Sequence, residues 1–269
     1  MPKSHSFITQ WQLFLLAVSF LTRIPVVIRF DVTDTLLNQA SRYFALVGVG
    51  LGVILATLFY CLQFVFPASL CVLLTMALSI LMTGAFHEDG WADVWDGFGG
   101  GWQVSQKLTI MKDSRLGTYG AAALIIILMM KYQSLILLSE QLNIILFAII
   151  AGQCLSRVVA TSLIINMDYV SEDATSKVKP LAMHLSKVSL FVLLFSGMML
   201  LAVALFLAVI SWQSALLIIV ILVLVRVVVM QWFKSQLGGY TGDCLGAAQQ
   251  ASELSIYLTL AAIVSSAAV

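Results

Sequence analysis

The sequence predicts an all-α, polytopic integral membrane protein. We expect a bundle of about six or seven transmembrane helices, with a short interfacial or re-entrant helix at the N-terminus. Of the 269 residues, 61% are hydrophobic and only 10% are charged, whereas a soluble domain is about 45–50% apolar. Several apolar runs reach about 20 residues, which is the length that a helix needs to cross a bilayer. The alternating segments of about ten residues that are typical of a transmembrane barrel do not occur.

The apolar runs divide the chain into spans. The first run, 11–21, follows Lys3 but lacks a small-x-small cleavage site, and Arg23 and Pro25 end it. We therefore expect a retained short helix instead of a signal peptide. Full spans are expected at 43–66, 68–86, 118–139, 142–165, 188–210 and 212–233, and a shorter one at 254–268. No linker is long enough to separate a soluble domain, so residues 1–269 are expected to form one membrane domain.

The charged residues are concentrated on one side of the predicted membrane. Segments 1–42, 87–117, 166–187 and 234–253 hold 11 of the 14 basic and 12 of the 13 acidic residues, and counting spans places all four together. The positive-inside rule makes that side cytoplasmic. The net charge of +1 gives no indication of a nucleic-acid partner, and none is expected.

Three cations fall inside the predicted spans. We expect Arg226 to snorkel to the cytoplasmic surface and Lys131 to snorkel to the opposite one. For Arg157 two interpretations are open. Its side chain either snorkels as well, or it reaches an anionic substrate or the acidic cluster from a neighbouring helix.

Four carboxylates lie within nine residues in the stretch FHEDGWADVWDGFGGG, 86–101. Asp89, Asp93 and Asp96 fall within about 60° of one another on a helix. Like charges at this spacing repel, and a nearby membrane raises the cost of each unpaired ion, so the cluster requires cations. Carboxylate oxygens suit Mg²⁺, Mn²⁺ or Ca²⁺. The alternative, an acidic helix start favoured by the helix dipole, explains Glu88 and Asp89 but not Asp96.

Glycines and two further polar stretches extend this candidate site. Gly90 and Gly97 allow a backbone or a ligand to approach closely. In KLTIMKDSRLGTYG, 107–120, the cations suit phosphate, and the candidate residues are Lys112, Asp113, Ser114 and Arg115. In LGGYTGDCLGAAQQASE, 237–253, a glycine-rich turn can present N–H groups to phosphate, and the candidates are Thr241, Gly242 and Asp243. Taken alone, the two stretches also fit a juxtamembrane topology signal and an ordinary turn. Together with the acidic cluster they indicate metal-dependent phosphoryl transfer at one membrane face.

Four stretches together resemble the cobalamin synthase family, the adenosylcobinamide-GDP ribazoletransferases. They are FLTRIPV, TGAFHEDGWADVWDGFGGG, MKDSRLGTYG and GGYTGDCLGAAQQASE, in that order over nearly the whole chain. The resemblance implies an enzyme that joins adenosylcobinamide-GDP to α-ribazole or its 5′-phosphate, releases GMP and uses Mg²⁺. It also implies a multi-pass protein of the bacterial inner membrane with its active site on the cytoplasmic face. A homo-oligomer, or a complex with other enzymes of corrinoid assembly, is a further expectation.

The resemblance also implies roles for individual residues. Asp89, Asp93 and Asp96 would hold one or two Mg²⁺ ions on the diphosphate, and Glu88 or Asp113 would add a ligand or orient the attacking hydroxyl. Lys112 and Arg115 would neutralise phosphate oxygens, and Asp243 would complete the site. The residues expected to line the cofactor and substrate site are Glu88, Gly90, Gly97, Ser114, Thr241 and Gly242.

Two other classes of function use similar residues. A cation transporter would place ionisable groups near the bilayer midplane, whereas here nearly all of them lie at one face. A lipid phosphotransferase of the CDP-alcohol type would use the same metal chemistry on a different acceptor. Flux that survives loss of nucleotide would identify the first, and a lipid product would identify the second.

Overall fold

The computed structural model describes residues 7–170 and 183–267, and this part of the chain is all-α, as predicted. Residues 171–182, which belong to the predicted charged segment 166–187, lie outside the described residues. The helices are α1 (Phe7–Leu21), α2 (Asp34–Ala40), α3 (Phe44–Leu62), α4 (Ala68–Thr83), α5 (Phe86–Gly100), α6 (Val104–Met111), α7 (Thr118–Leu138), α8 (Leu142–Ser162), α9 (Lys187–Phe206), α10 (Trp212–Leu237) and α11 (Gly242–Ala267).

Within residues 7–170 and 183–267, five helical segments are long and apolar enough to cross a membrane. They are α2 with α3, then α7, α8 with its 3-10 extension, α9 and α10. The pair α4 and α5 passes the same test but is bent by 86°. The bend forms at Gly84 and Ala85, whose φ angles of 68° and 58° are both left-handed. Since α5 turns away from the direction of α4, we treat α5 as lying outside the membrane-spanning part.

The centre of the bundle is α8. In its membrane-span window 78% of the residues are buried, against 28% in α9 and 22% in α10, so the last two form the outer wall. Close packing around α8 depends on glycine, because a Cβ atom on Gly48 of α3 would lie 2.3 Å from the Gln153 carbonyl oxygen. The absence of a side chain at this point lets α3 lie directly on α8.

The last predicted span differs from the structure. The sequence predicted a short span at 254–268, but α11 is a 26-residue helix that begins at Gly242. Its first half, which contains Gln249, Gln250 and Glu253, is buried inside the bundle. Burial of these polar side chains is possible because partners from other helices bind them, and this pairing is not visible in hydropathy.

Candidate active site

The candidate active site lies where α5 meets the N-terminal end of α11. A Cβ atom on Gly90 would lie 2.8 Å from the carbonyl oxygen of Asp243, and one on Gly246 would lie 3.4 Å from the Cα atom of Gly90. The two helices therefore touch through their backbones at this crossing. Close approach at Gly90 was predicted, and the structure identifies α11 as the approaching element. The crossing brings the carboxylate of Asp243 to the acidic face of α5.

Asp89, Asp93 and Asp243 carry the negative charge of this site. Asp89 is exposed, and the other two are half-buried. Burial, together with the charges of Asp243, Asp89 and Asp96, raises the pKa of Asp93 to about 7. Burial and the charge of Asp89 raise the pKa of Asp243 to about 6. None of the described cations forms an ion pair with these carboxylates, so the site has an excess of negative charge.

Asp96 is buried, and backbone amides donate hydrogen bonds to its carboxylate. Its Oδ2 accepts a hydrogen bond from the N–H of Gly117 at 2.7 Å, and its Oδ1 accepts one from the N–H of Gly120 at 2.8 Å. These amides belong to the first turn of α7, where a carboxylate satisfies unpaired N–H groups and the helix dipole. The arrangement joins α5 to α7. The role of Asp96 as a metal ligand stays a prediction.

Glu88 points toward the interior of the bundle. Its Oε1 accepts a hydrogen bond from the side-chain amide of Gln250 at 3.1 Å, and its Oε2 is buried with no hydrogen-bond partner among the described residues. The residue therefore connects α5 to the middle of α11. Its predicted part in metal or substrate binding is not tested by this geometry.

The predicted snorkelling of Lys131 is wrong. This residue is 4% exposed, and its Nζ lies 2.8 Å from Oε2 of Glu253 and 2.6 Å from Oε1 of Gln250. Glu253 also accepts hydrogen bonds from Gln249, Tyr257 and Gln153. The buried carboxylate offers the ammonium group a closer anionic partner than the membrane surface does.

Arg157 is also internal, with 2% of its surface exposed, so the snorkelling interpretation is excluded. Its Nη1 donates to the backbone and side-chain oxygens of Gln153 at 2.7 and 2.9 Å. Its charge acts on Glu253 and on Glu88. The second interpretation, that Arg157 reaches an anionic substrate or the acidic cluster, stays a prediction.

The stretch 112–115 forms an exposed turn after α6. The guanidinium of Arg115 binds both carboxylate oxygens of Asp113, with Nη2 2.6 Å from Oδ2, and lowers the pKa of Asp113 to about 2. Ser114 and Lys112 are exposed. The charge of Lys112 acts on Tyr169, which pairs with Tyr240 just before α11. The role of Lys112 in binding phosphate stays a prediction.

The turn before α11 is held from two sides. Tyr240 donates its N–H to the carbonyl of Asp168 at 3.0 Å and accepts from the N–H of Val170 at 2.8 Å. The hydroxyl of Thr241 accepts the N–H of Cys244 at 3.3 Å, which caps the start of α11. Gly242 is open, with no atom within 4 Å of the place where its Cβ would be. The predicted glycine-rich turn before a helix is confirmed.

The three carboxylates around the α5–α11 crossing suit a magnesium ion whose other ligands are water and substrate phosphate. They do not form a site in which the protein supplies every ligand. Among the described residues, no group of three or more His, Cys, Asp or Glu side chains is arranged to hold a metal by itself. Mg²⁺ usually keeps several waters and binds one or two carboxylates together with substrate phosphates. The half-buried pair of Asp93 and Asp243, with Asp89 beside it, meets that requirement.

The roles of Gln249, Gln250 and Glu253 were not predicted from the sequence. The three residues lie within the quoted stretch 237–253, at positions i, i+1 and i+4 before an apolar run. Polar residues at this spacing share one side of a helix, and on an otherwise apolar helix they indicate a buried polar network. This was the available signal.

Comparison with known proteins gives a consistent result. The family model for cobalamin-5-phosphate synthase matches residues 13–261. The adenosylcobinamide-GDP ribazoletransferase of Shewanella frigidimarina is 48% identical over 255 residues, which cover 94% of this chain and 95% of the relative. The enzyme of that name from Vibrio parahaemolyticus is 49% identical over 255 residues, covering 94% and 93%. No solved structure matches the chain.

Proposed function

Because the chain belongs to the cobalamin-5-phosphate synthase family, we propose that it is an adenosylcobinamide-GDP ribazoletransferase of cobalamin biosynthesis. Relatives with that name are almost half identical to it over more than nine tenths of its length. The structural observation that supports the proposal is the crossing of α5 and α11, which gathers Asp93 and Asp243 beside Asp89 so closely that the charge of one carboxylate raises the pKa of another.

The proposed reaction exchanges the phosphoanhydride bond of the diphosphate for a new phosphate ester. The ribose hydroxyl oxygen of α-ribazole, or of its 5′-phosphate, attacks the phosphorus attached to the corrinoid side arm. The new O–P bond forms, the hydroxyl proton leaves, and the bond between that phosphorus and the bridging oxygen breaks. GMP departs with the electron pair. No redox partner is required.

The acidic crossing is the proposed Mg²⁺ site, held by Asp89, Asp93 and Asp243. A bound Mg²⁺ would supply neutralisation of the negative charge on the diphosphate and on the leaving GMP. Lys112 would contribute positive charge to the phosphate from the exposed turn after α6. Arg115 would do the same with its Nη1, since its Nε and Nη2 bind Asp113.

In this proposal two of the predicted site residues also hold α5 in position by binding neighbouring helices. Asp96 fixes α5 against the first turn of α7, and Glu88 fixes α5 against Gln250 of α11. Both contacts hold the helix that carries Asp89 and Asp93. Substitution of either would therefore displace the proposed ligands.

The proposed location is the bacterial inner membrane, with the site on the cytoplasmic face. This rests on the charged segments at the end of the bundle where α5 and the turn before α11 lie. Glu140 is an exposed acidic residue between α7 and α8, at the other end of α7 from the Asp96 cap.

The test is GMP release by purified, reconstituted protein supplied with adenosylcobinamide-GDP, Mg²⁺ and either α-ribazole or its 5′-phosphate. We expect Asp93→Asn and Asp243→Asn to lower kcat/KM by more than about 10²-fold, because each removes a charge on the proposed metal. Glu140→Gln is the matched control and should retain the wild-type rate.

The possible results separate the activity from the site. A folded wild-type protein that forms no corrinoid product with either acceptor would contradict the proposed activity. Product formation that is unchanged in both aspartate variants would keep the activity and move the metal site elsewhere. The ratio of the two wild-type rates identifies the preferred acceptor.

A further inference from the structure

A groove on the outer wall of the bundle lies between α8, α9 and α10, away from the α5–α11 crossing. Its volume is about 340 Å³, within the range of small-ligand sites. Its apolar lining includes Leu155, Val158, Val159, Leu194, Leu201 and Leu222. All three helices belong to the candidate membrane spans, so the groove lies at the depth of the bilayer hydrocarbon.

The groove is open toward the lipid. Leu194 and Met198 of α9 are 44% and 55% exposed, and Val223 of α10 is 55% exposed, although all three line the groove. Because α9 and α10 form the outer wall of the bundle, an occupant can enter sideways from the membrane. The expected occupant of such an opening is a flexible apolar chain.

The polar part of the lining lies at one end of the groove and consists of Ser162, Asn166 and Arg226. Ser162 ends α8, and Asn166 follows it closely. The segment after Asn166 pairs with Tyr240 through Tyr169, so this end of the groove faces the same end of the bundle as Asp243. A ligand that fits the groove must therefore be apolar along its length and polar at that end.

Arg226 has neutral partners in the described chain. Its Nε donates to Oγ of Ser162 at 2.8 Å, and its Nη2 donates to the carbonyl of Ser162 at 3.1 Å and to the side-chain oxygen of Asn166. None of the described acidic side chains forms an ion pair with it. These contacts direct the guanidinium of Arg226 toward this end of the groove, but its positive charge lacks an anionic partner among the described residues. Its snorkelling to the cytoplasmic surface stays a prediction.

We propose that this groove binds one anionic phospholipid, with an acyl chain along the apolar wall and the phosphate on the guanidinium of Arg226. The ligand supplies the negative charge and the apolar length that the groove requires together. A basic residue at the mouth of a groove between transmembrane helices is a typical headgroup site. The serine and asparagine contacts hold the guanidinium in place for the phosphate.

The proposal is tested by titrating the purified protein in detergent with palmitoyl-oleoyl phosphatidylglycerol or phosphatidylcholine, and counting bound lipids by native mass spectrometry. The two lipids have the same acyl chains and differ in net charge. We expect one phosphatidylglycerol to bind at least about 10-fold more tightly than phosphatidylcholine, since a charge-assisted contact of about 1.4 kcal/mol gives that ratio. No corrinoid substrate is present, so the result is independent of the proposed enzymatic activity.

Two pairs of variants identify the groove. Arg226→Gln should remove the preference for phosphatidylglycerol, whereas Lys234→Gln, which removes an exposed charge from the same helix, should leave it within about twofold. Val223→Trp should weaken binding of both lipids by filling the groove. Leu224→Trp, on an exposed part of α10 outside the lining, should not.

Three results would overturn the proposal. They are equal affinity of the wild type for the two lipids, equal loss in Arg226→Gln and Lys234→Gln, and a lipid-free dimer, which would mean that a second copy of the chain covers the groove. If Arg226→Gln does not fold, Arg226→Lys and Val223→Trp decide the question. The lysine variant keeps the charge and should keep the preference, and the tryptophan variant should lose the lipid.

Discussion

Asp93 and Asp96 lie within one turn of α5, yet their surroundings differ. Asp96 is buried, and two backbone N–H groups of α7 bind its oxygens. Asp93 is half-buried beside Asp89 and Asp243, and it gains only negative neighbours there. A carboxylate that already accepts two amide hydrogen bonds is stable without a metal, whereas Asp93 is stabilised by any cation that enters the site. We infer that Asp93 depends more strongly on Mg²⁺.

This difference predicts a pH-dependent stability of the metal-free protein. The pKa values of Asp93, about 7, and Asp243, about 6, lie above the usual value of 3.8. The folded state therefore binds these protons more tightly than the unfolded state. The stability that they contribute is fully present below about pH 4 and is lost as the pH rises through 6 and 7. Each group contributes at most about 1.4 kcal/mol per pH unit, and less here because both side chains are partly solvated.

The measurement is the Tm of the protein in detergent with EDTA between pH 5 and pH 8. We expect Tm to fall over this range, and Asp93→Asn to reduce the slope. Mg²⁺ should raise Tm more at pH 8 than at pH 5.5, because it binds the ionised carboxylates. A wild-type Tm that rises with pH, or an equal slope in Asp93→Asn, would contradict the assignment. Glu140→Gln serves as the control.

For single residues, the sequence could predict which acidic side chains lie close together, but not which groups bind each of them. The i, i+4, i+7 spacing predicted a shared helix face, and the electrostatic influence of Asp89 and Asp96 on Asp93 agrees with it. The spacing contained no information about Gly117 and Gly120, which lie more than 20 residues away and occupy Asp96. Long-range partners of this kind depend on helix packing.

At the scale of the element, the buried pair of Lys131 and Glu253 joins α7 to α11. Lys131→Met would leave the Glu253 carboxylate buried without its cation, and removal of one partner from a buried pair typically costs about 3–5 kcal/mol. We expect a large fall in Tm in detergent for this variant. Combining it with Glu253→Gln should recover part of the loss, because the uncompensated charge is then removed.

The matched control for this pair is Lys234→Gln, which removes an exposed cation near the end of α10. It should leave Tm nearly unchanged, since exposed charges contribute little. If Lys131→Met unfolds at the wild-type temperature, the pair does not hold α7 to α11. The double variant, Lys131→Met with Glu253→Gln, must also have a higher Tm than Lys131→Met alone. A double variant that is still less stable than Lys131→Met would show that the uncompensated charge of Glu253 is not the cause of the loss.

At the scale of the whole molecule, the sequence predicted the fold class and most of the spans, because long apolar runs directly report burial in lipid. It did not predict the 86° bend between α4 and α5, which depends on two left-handed residues, Gly84 and Ala85. It also truncated α11, since hydropathy treats Gln249, Gln250 and Glu253 as surface residues. The truncation of α11 and the wrong placement of Lys131 both occur where polar groups inside the bundle satisfy one another.

The orientation of the bundle in the membrane is the last prediction. Ser114 and Glu140 are exposed and lie near opposite ends of α7, which is about 30 Å long. The excess of cations near Ser114 predicts that this end is cytoplasmic. In a Cys61→Ala background, which removes the exposed native thiol, Glu140→Cys should react with a membrane-impermeant maleimide in spheroplasts. Ser114→Cys should react only after permeabilisation. The reverse pattern would place Asp93 and Asp243 outside the cell, where a nucleotide-linked corrinoid is not made, and would contradict the proposed location of the enzyme.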